Sequence, residues 1–342
     1  MKVTSSLDAY QSLLDRSGLG NFFQSHIFYG ILRAIGWKPL ILTVMEENEC
    51  VGGVLAYIPQ RIRFSKSFSP MAVVRRGPIV QNPEALDVLL DSFEREIKKL
   101  GAIKTDIIAP FPCYHQVFSR KDYVVQRKGG EYSVKINLNN STEKLWSDIK
   151  KGCRKRIKKA LKMGTKVKDV ESEEELKEFY KIYLDTSKRR GFFPYPYRLF
   201  KELWKYSLKN TITQFLIAVH KRKIIAGKIN IRYFGKVTSF ISCSMKPSWN
   251  LNPNHLLMWS SIIRSKEEKA KFFEIWYLPN RKEANQKIDY YTFKTSFGGK
   301  IVRTNIFYYK TFFPLRCHAH GVITKLLEPI FHNPRLSVLF AD

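Results

Sequence analysis

Two stretches of this chain repeat one design. Residues 39–57, PLILTVMEENECVGGVLAY, read as an apolar strand, a short polar turn and a second strand opened by glycine. Residues 214–233, QFLIAVHKRKIIAGKINIRY, repeat that order in the second half. Each copy is followed by a segment of helical periodicity and an apolar strand ending in proline, from Asp106 to Pro110 and from Glu274 to Pro279. A repeated order of elements predicts two similar α/β units, each a mixed sheet with helices packed on it. The 342 residues have room for two domains with cores of their own.

Charge is the next constraint. There are 59 Lys and Arg against 30 Asp and Glu, a formal net charge of +29. Such a field attracts polyanions, whether nucleic acid, anionic lipid headgroups or phosphorylated metabolites. The lysines run through nearly every segment, so a purely solubilising role stands beside the binding one. The five cysteines, Cys50, Cys113, Cys153, Cys243 and Cys317, lie singly with no CxxC, which predicts buried thiols in a reducing compartment. The polar start, MKVTSSLDAYQSLLDRS, does not read as a signal peptide. The apolar run 21–42 is broken by Gln24, His26, Arg33 and Lys38 and does not read as a membrane span. A cytoplasmic protein is expected, with docking at the inner membrane surface left open.

Periodicity gives a coarse map. Residues 7–35 read as short helices interrupted at Gly18 and Gly20, and 68–80 as irregular. Leu86, Leu89, Leu90, Phe93 and Ile97 place a helix over 83–100. A short strand at 105–110, a turn or short helix at 112–118 and a strand at 132–137 follow. The second half predicts one helix over 142–163 and a second capped by Ser172 and Glu175 and stopped at Gly191. After the aromatic–proline loop GFFPYPY come a helix marked by Leu199, Phe200, Leu203 and Trp204, then an antiparallel meander over 214–245. A helix from Pro253, a strand at 272–278, a long alternating strand at 300–312 and a C-terminal helix and tail complete it. The expected division is 1–137, 138–320 and a terminal piece 321–342. Neither GxGxxG nor GxxxxGK[ST] occurs, which argues against a Rossmann domain and a P-loop enzyme.

The second half resembles the Fem-type aminoacyltransferases that build peptidoglycan interpeptide bridges, and their wider N-acyltransferase relatives. The likeness rests on WSDIKKGCRKRIKKALKMG at 146–164, Phe179-Tyr180 leading to Thr186 and Arg190, and Ala226-Gly227. It continues through Trp249, Pro253, Leu256-Leu257 and Trp259 to Phe293-Lys294 and Phe297-Gly298. The resemblance implies two GNAT-like acyltransferase domains in tandem, the first degenerate. It implies transfer of an amino acid from aminoacyl-tRNA to an amine on a cell-wall peptide. Two departures bear on substrate. The strand end FEIWYLP carries Trp276 and Tyr277 where relatives have a glycine-containing end, and the [QR]xxGx[GA] pyrophosphate loop of acetyl-CoA enzymes is missing from its usual place. An acyl-CoA donor with a small amine acceptor, and a non-catalytic binder of nucleic acid or anionic membrane, are the alternatives.

Lys294 is the leading catalytic candidate. A fixed ammonium beside Gly298-Gly299 can stabilise the oxyanion formed when an amine attacks an ester, or hold an acceptor phosphate. Its structural reading is a pair with Asp289 or Glu283. Arg189 and Arg190, at a predicted helix end, suit forked bonds to phosphate or carboxylate, and equally suit capping. The resemblance places Arg190 among acceptor-binding groups. Tyr195 and Tyr197 are candidates to line that cleft, with Trp276, Tyr277, Phe293 and Phe297 as pocket wall. Lys150, Lys151, Arg154, Lys155, Lys158 and Lys162 cover much of a helix whose apolar stripe is Leu145, Ile149, Cys153, Ile157 and Leu161, a candidate footprint for phosphates. Asp106, Asp185, Glu274 and Asp289 are available as general base, with none favoured. No cofactor or metal is expected, since His318 and His320 lack a third ligand.

Overall fold

The structure is a computed structural model that describes residues 1–59, 71–126, 132–209, 212–278 and 288–331. Two compact units divide the chain: Met1–Lys128 with Thr304–Leu327, and a second built on Gly129–Arg303. The first unit opens with β1 (Lys2–Thr4), α1 (Leu7–Ser17) and α2 (His26–Ala34). Its repeat copy forms the hairpin β2 (Lys38–Glu46) and β3 (Glu49–Ile58). β4 (Met71–Arg75) and β5 (Ile79–Val80) follow, so part of the stretch expected to be irregular is strand. α3 (Pro83–Lys99) then crosses to β6 (Lys104–Pro110), which lies parallel to β4. α3 buries the predicted Leu86, Leu89, Leu90, Phe93 and Ile97 in this unit's core. α4 (His115–Arg120) and β7 (Val124–Val125) end the segment.

The second unit begins at β8 (Tyr132–Asn137). The helix expected over 142–163 is two, α5 (Thr142–Asp148) and α6 (Lys151–Lys162), separated by extended Ile149 and Lys150. Arg154 explains the break. Its Nη1 donates to the carbonyls of Trp146, Ser147 and Ile149 at 3.3, 2.8 and 2.7 Å, satisfying the end of α5. Leu161, placed in the apolar stripe by periodicity, is 56% exposed, because the buried face of α6 runs through Cys153, Ile157 and Ala160 and leaves Leu161 one position beyond it. β9 (Lys166–Asp169), α7 (Glu173–Arg190) and α8 (Tyr197–Lys209) lead to the second copy of the repeat. Ser172 caps α7 by accepting from Glu175 N, and Gly191 ends it at φ +63°. The Glu175 carboxylate accepts from Glu171 N, one residue before the cap.

β10 (Thr213–His220), β11 (Lys223–Tyr233) and β12 (Lys236–Ser244) form the expected antiparallel meander. α9 (Pro253–Glu267) crosses to β13 (Phe272–Leu278), parallel to β12. α10 (Ile288–Thr295) and β14 (Lys300–Arg303) follow, then β15 (Asn305–Thr311) and α11 (Pro314–Phe331). The sheet of the second unit has the order β14-β8-β13-β12-β11-β10-β9, and that of the first β1-β2-β3-β4-β6-β15-β7, with β5 beside β3. The common plan is an antiparallel meander whose last strand pairs in parallel, through a helical crossover, with the next.

Pairing also moves the expected boundaries. β8, assigned to the first part by position, pairs with β13, and β15, assigned to the second, pairs along its length with β6. The single strand expected over 300–312 is therefore two, one in each sheet. Alternation reveals a strand but not its partner. The C-terminal helix starts at Pro314 rather than near 321, and 332–342 lie outside the described residues.

The repeat has a packing reason. A Cβ on Gly53 of β3 would meet the Tyr10 ring of α1 at 2.5 Å, and one on Gly227 of β11 would meet the Phe179 ring of α7 at 2.2 Å. In both units a strand glycine seats an aromatic ring from a covering helix.

Candidate active site

β12 and β13 pair only over Lys236–Ser239 and Phe272–Ile275, and both strands run on beyond that point. The register of β12 against β11 steps by one residue at the same level, between Ile229 and Asn230. A bulge there bends the strand away from its neighbour. The candidate site lies where these strands part.

Lys294 stands in the last turn of α10 and is 6% exposed. Its Nζ donates to the carbonyls of Trp276 at 2.5 Å and Tyr277 at 2.7 Å, and sits 4.4 Å from the centre of the Tyr290 ring. Successive carbonyls of a regular strand point opposite ways; Tyr277 at φ +63° breaks that alternation, so both face one ammonium. The Arg190 guanidinium lies 4.9 Å from the same ring. The expected partners Asp289 and Glu283 have side chains outside the described residues.

The turn after Lys294 needs its glycines. Gly298 and Gly299 have φ of +80° and +85°, and Cβ atoms there would meet Asp148 at 3.0 Å and the Lys135 carbonyl at 2.7 Å. Lys150 N donates to Ser296 O at 2.9 Å, so the start of the basic helix is bonded to the same turn.

Electrostatics single out Tyr290. Burial raises the phenols of Tyr10, Tyr123, Tyr180, Tyr183 and Tyr197, the last to about 12. Burial pushes Tyr290 the same way, but Lys294 and Arg190 outweigh it and hold its pKa below the ordinary phenol value. Burial lowers Lys294, Tyr290 opposes that shift and Arg190 adds to it. Each group thus steadies the charged form of its opposite.

A second buried lysine, which no sequence motif marks, faces this cluster. Lys228 of β11 is 1% exposed, and its Nζ lies 2.6 Å from Ser239 Oγ and 3.2 Å from Ser242 Oγ. Burial first, and the Lys294 charge second, push it down to about 7. A lysine inside the apolar run IIAGKINI was the available signal, because a central strand covered on both faces rarely holds one.

Other candidates have different surroundings. Arg189 is committed to structure: Nε donates to Asp185 at 2.8 Å, and Nη2 donates to Ser244 O at 2.5 Å and Thr186 Oγ1 at 3.0 Å. It fastens the end of α7 to the end of β12. Tyr195 N donates to the Tyr183 hydroxyl at 3.0 Å, and the Tyr195 ring lies 5.9 Å from that of Phe240. The Tyr197 ring packs edge-on against Tyr180 at 5.2 Å. Trp276 is buried and Tyr277 40% exposed. Phe293 and Phe297 pack edge to face at 5.2 Å and both contact the His255 ring, making a core wall behind Lys294. Burial pushes His255 down to about 4.

Lys150 just before α6 and Lys151, Lys155, Lys158 and Lys162 on it are exposed, as are Arg156 and Lys159, while Arg154 is turned inward onto the α5 carbonyls. Of the four carboxylates named as bases, Glu274 faces away from the cluster, accepting from Thr238 Oγ1 at 3.2 Å with Lys236 at 3.9 Å. Asp185 holds Arg189 and Asp106 belongs to the first unit.

A model of the FemAB family matches residues 127–218. Among solved structures, FemX superposes with a TM-score of 0.70 at 14% identity, covering 94% of this chain and 100% of that one. A tandem GNAT protein from the clavulanic acid biosynthesis pathway gives 0.62 at 9% identity, covering 91% and 98%. The C-terminal domain of a putative lysylphosphatidylglycerol synthetase from Agrobacterium fabrum gives 0.56 at 11% identity, covering 94% and 96%. No curated protein matches the sequence. The fold is that of the FemAB and GNAT acyltransferases, a mixed α/β architecture with two sheets. Among the described residues no helix is long and apolar enough to cross a membrane.

Proposed function

We propose that the protein is an N-acyltransferase that forms an amide by moving an aminoacyl group from aminoacyl-tRNA to an amine of a cell-wall peptide precursor or similar acceptor. The observation that carries the reading is the Arg190–Tyr290–Lys294 cluster at the parting of β12 and β13. Attack of an amine on an ester carbonyl places negative charge on oxygen in the transition state. A buried ammonium and a phenol polarised by two cations offset that charge at no cost of reorganisation. Arg190 stands where an acceptor phosphate or carboxylate can bridge it. The exposed cations of α6 give the donor's phosphates a footprint, independent of base sequence.

An acyl-CoA donor is the second reading, and it is favoured by the parted strands themselves. The splay of the two strands beyond Ser239 and Ile275, where their pairing stops, suits an extended, amide-bearing arm. Incubation with labelled charged tRNAs or acyl-CoAs and a panel of peptides and small amines separates the two. Label should pass from tRNA, and Lys294→Met should reduce transfer on the order of 100-fold with thermal stability as the control. Transfer from acyl-CoA alone would replace the donor assignment. No transfer from either, with no donor binding, would sink the enzyme reading.

A further inference from the structure

From the way an exposed serine hydroxyl meets a buried amine at the parted strands, we infer that Lys228 and Ser242 form a proton relay that serves the transfer reaction. Lys228 is a buried lysine with hydroxyls as its partners: Ser239 at 2.6 Å and Ser242 at 3.2 Å. Among the described residues the charge that acts on it is that of Lys294, itself flanked by Tyr290 and Arg190. Two buried ammoniums that feel each other's charge repel. Lys294 has two carbonyls and the face of a ring, which favour its charged form, whereas a hydroxyl can either accept from an ammonium or donate to an amine. Lys228 is therefore the member that sheds its proton, in keeping with its shift to about 7.

The bulge builds the relay. On a regular strand residues 239 and 242 would point to opposite faces. The register step between Ile229 and Asn230 inserts one residue and turns both hydroxyls onto Lys228. Ser239 is buried, but Ser242 is exposed, so its hydroxyl joins the outside of the parted strands to an amine that is 1% exposed.

The role rests on the transferase reading, and the protons balance. As the amine nitrogen bonds to the carbonyl carbon it gives a proton to Ser242 Oγ, whose own proton passes to the Lys228 amine. The carbon–oxygen bond of the ester then breaks, and the leaving oxygen takes a proton back along the same path. An amine and an ester become an amide and an alcohol, and Lys228 returns to its neutral form. Lys228 acts through Ser242 and need not touch the substrate.

The test has a part that needs no substrate. In the full chain with isotope-labelled lysines, the side-chain resonance lost in Lys228→Met should titrate near neutrality, and should move to higher pH in Lys294→Met. A Lys228 resonance that stays charged to pH 9 overturns the relay and leaves the transferase reading standing. With an active donor, Lys228→Met and Ser242→Ala should each slow turnover at pH 7 at least tenfold with donor KM unchanged. Both should also shift the rising limb of the pH profile. A wild-type profile in Ser242→Ala, whose exposed side chain is not needed for folding, overturns the relay. A wild-type protein inactive with every donor, yet with Lys228 titrating near neutrality, overturns the transferase reading and the relay's role in it.

Discussion

At the residue scale, two glycines and a histidine make the sharpest claims. Gly227→Ala drives a methyl into the Phe179 ring at 2.2 Å and should cost about 2 kcal/mol or more, as overpacked cores do. Gly152→Ala, with nothing within 4 Å, should be neutral or stabilise by up to about 1 kcal/mol. Urea unfolding of both variants checks the contrast; equal effects would refute the packing account of the repeat. His255, pushed down to about 4 from an unfolded value near 6.5, binds fewer protons folded than unfolded between those limits. Its contribution to stability is present above pH 6.5 and is lost as pH falls through 4. His255→Phe should therefore flatten the acid limb, by up to roughly 3 kcal/mol between pH 7 and 4, and unchanged curvature would contradict it. Lys294 was legible from its place beside two glycines. Tyr290 was not, because a tyrosine gains meaning here only from the cations beside it; Lys228 left a signal, its place in the apolar run IIAGKINI, but only the fold shows its partners.

At the element scale, α6 separates charge from structure. Lys151, Lys155, Lys158 and Lys162 project outward, and replacing them with Gln should leave unfolding unchanged or slightly improved, because like charges on one helix repel. The same change should weaken binding to tRNA and reduce its log–log salt slope by about one for each phosphate no longer neutralised. Arg154→Gln should do the reverse, costing about 1 kcal/mol through unpaired carbonyls while sparing the salt slope. Salt-dependent binding and denaturation measured on both variants distinguish the roles. Helical periodicity put Arg154 with the lysines; only the turn at Ile149 and Lys150 shows which way it faces.

At the scale of the whole molecule, the chain returns to its first sheet after completing its second. β15 lies between β6 and β7 and buries Ile306 and Tyr308. Tyr308 stacks on Phe118 at 4.1 Å, and Lys310 donates to Glu94 at 2.8 Å. A chain ending at Arg303 should therefore lose the first unit, although its long continuous segment is intact. Rapid proteolysis and hydrogen exchange across β6 and α4 in that truncation are the expected result. Native-like protection there would contradict the strand order.

The sequence by itself determined the local elements: the two hairpins with their glycines, the crossover helices, the caps at Ser172 and Gly191, and the basic surface of α6. Those follow from short-range periodicity, turn chemistry and charge, which are written along the chain. The tertiary structure alone decided that β8 and β15 trade sheets, that one basic helix is two, and that Lys228, Tyr290, Lys294 and Arg190 converge where β12 leaves β13. Strand partners and the fields between buried charges depend on distances through space, and residues far apart in sequence set them.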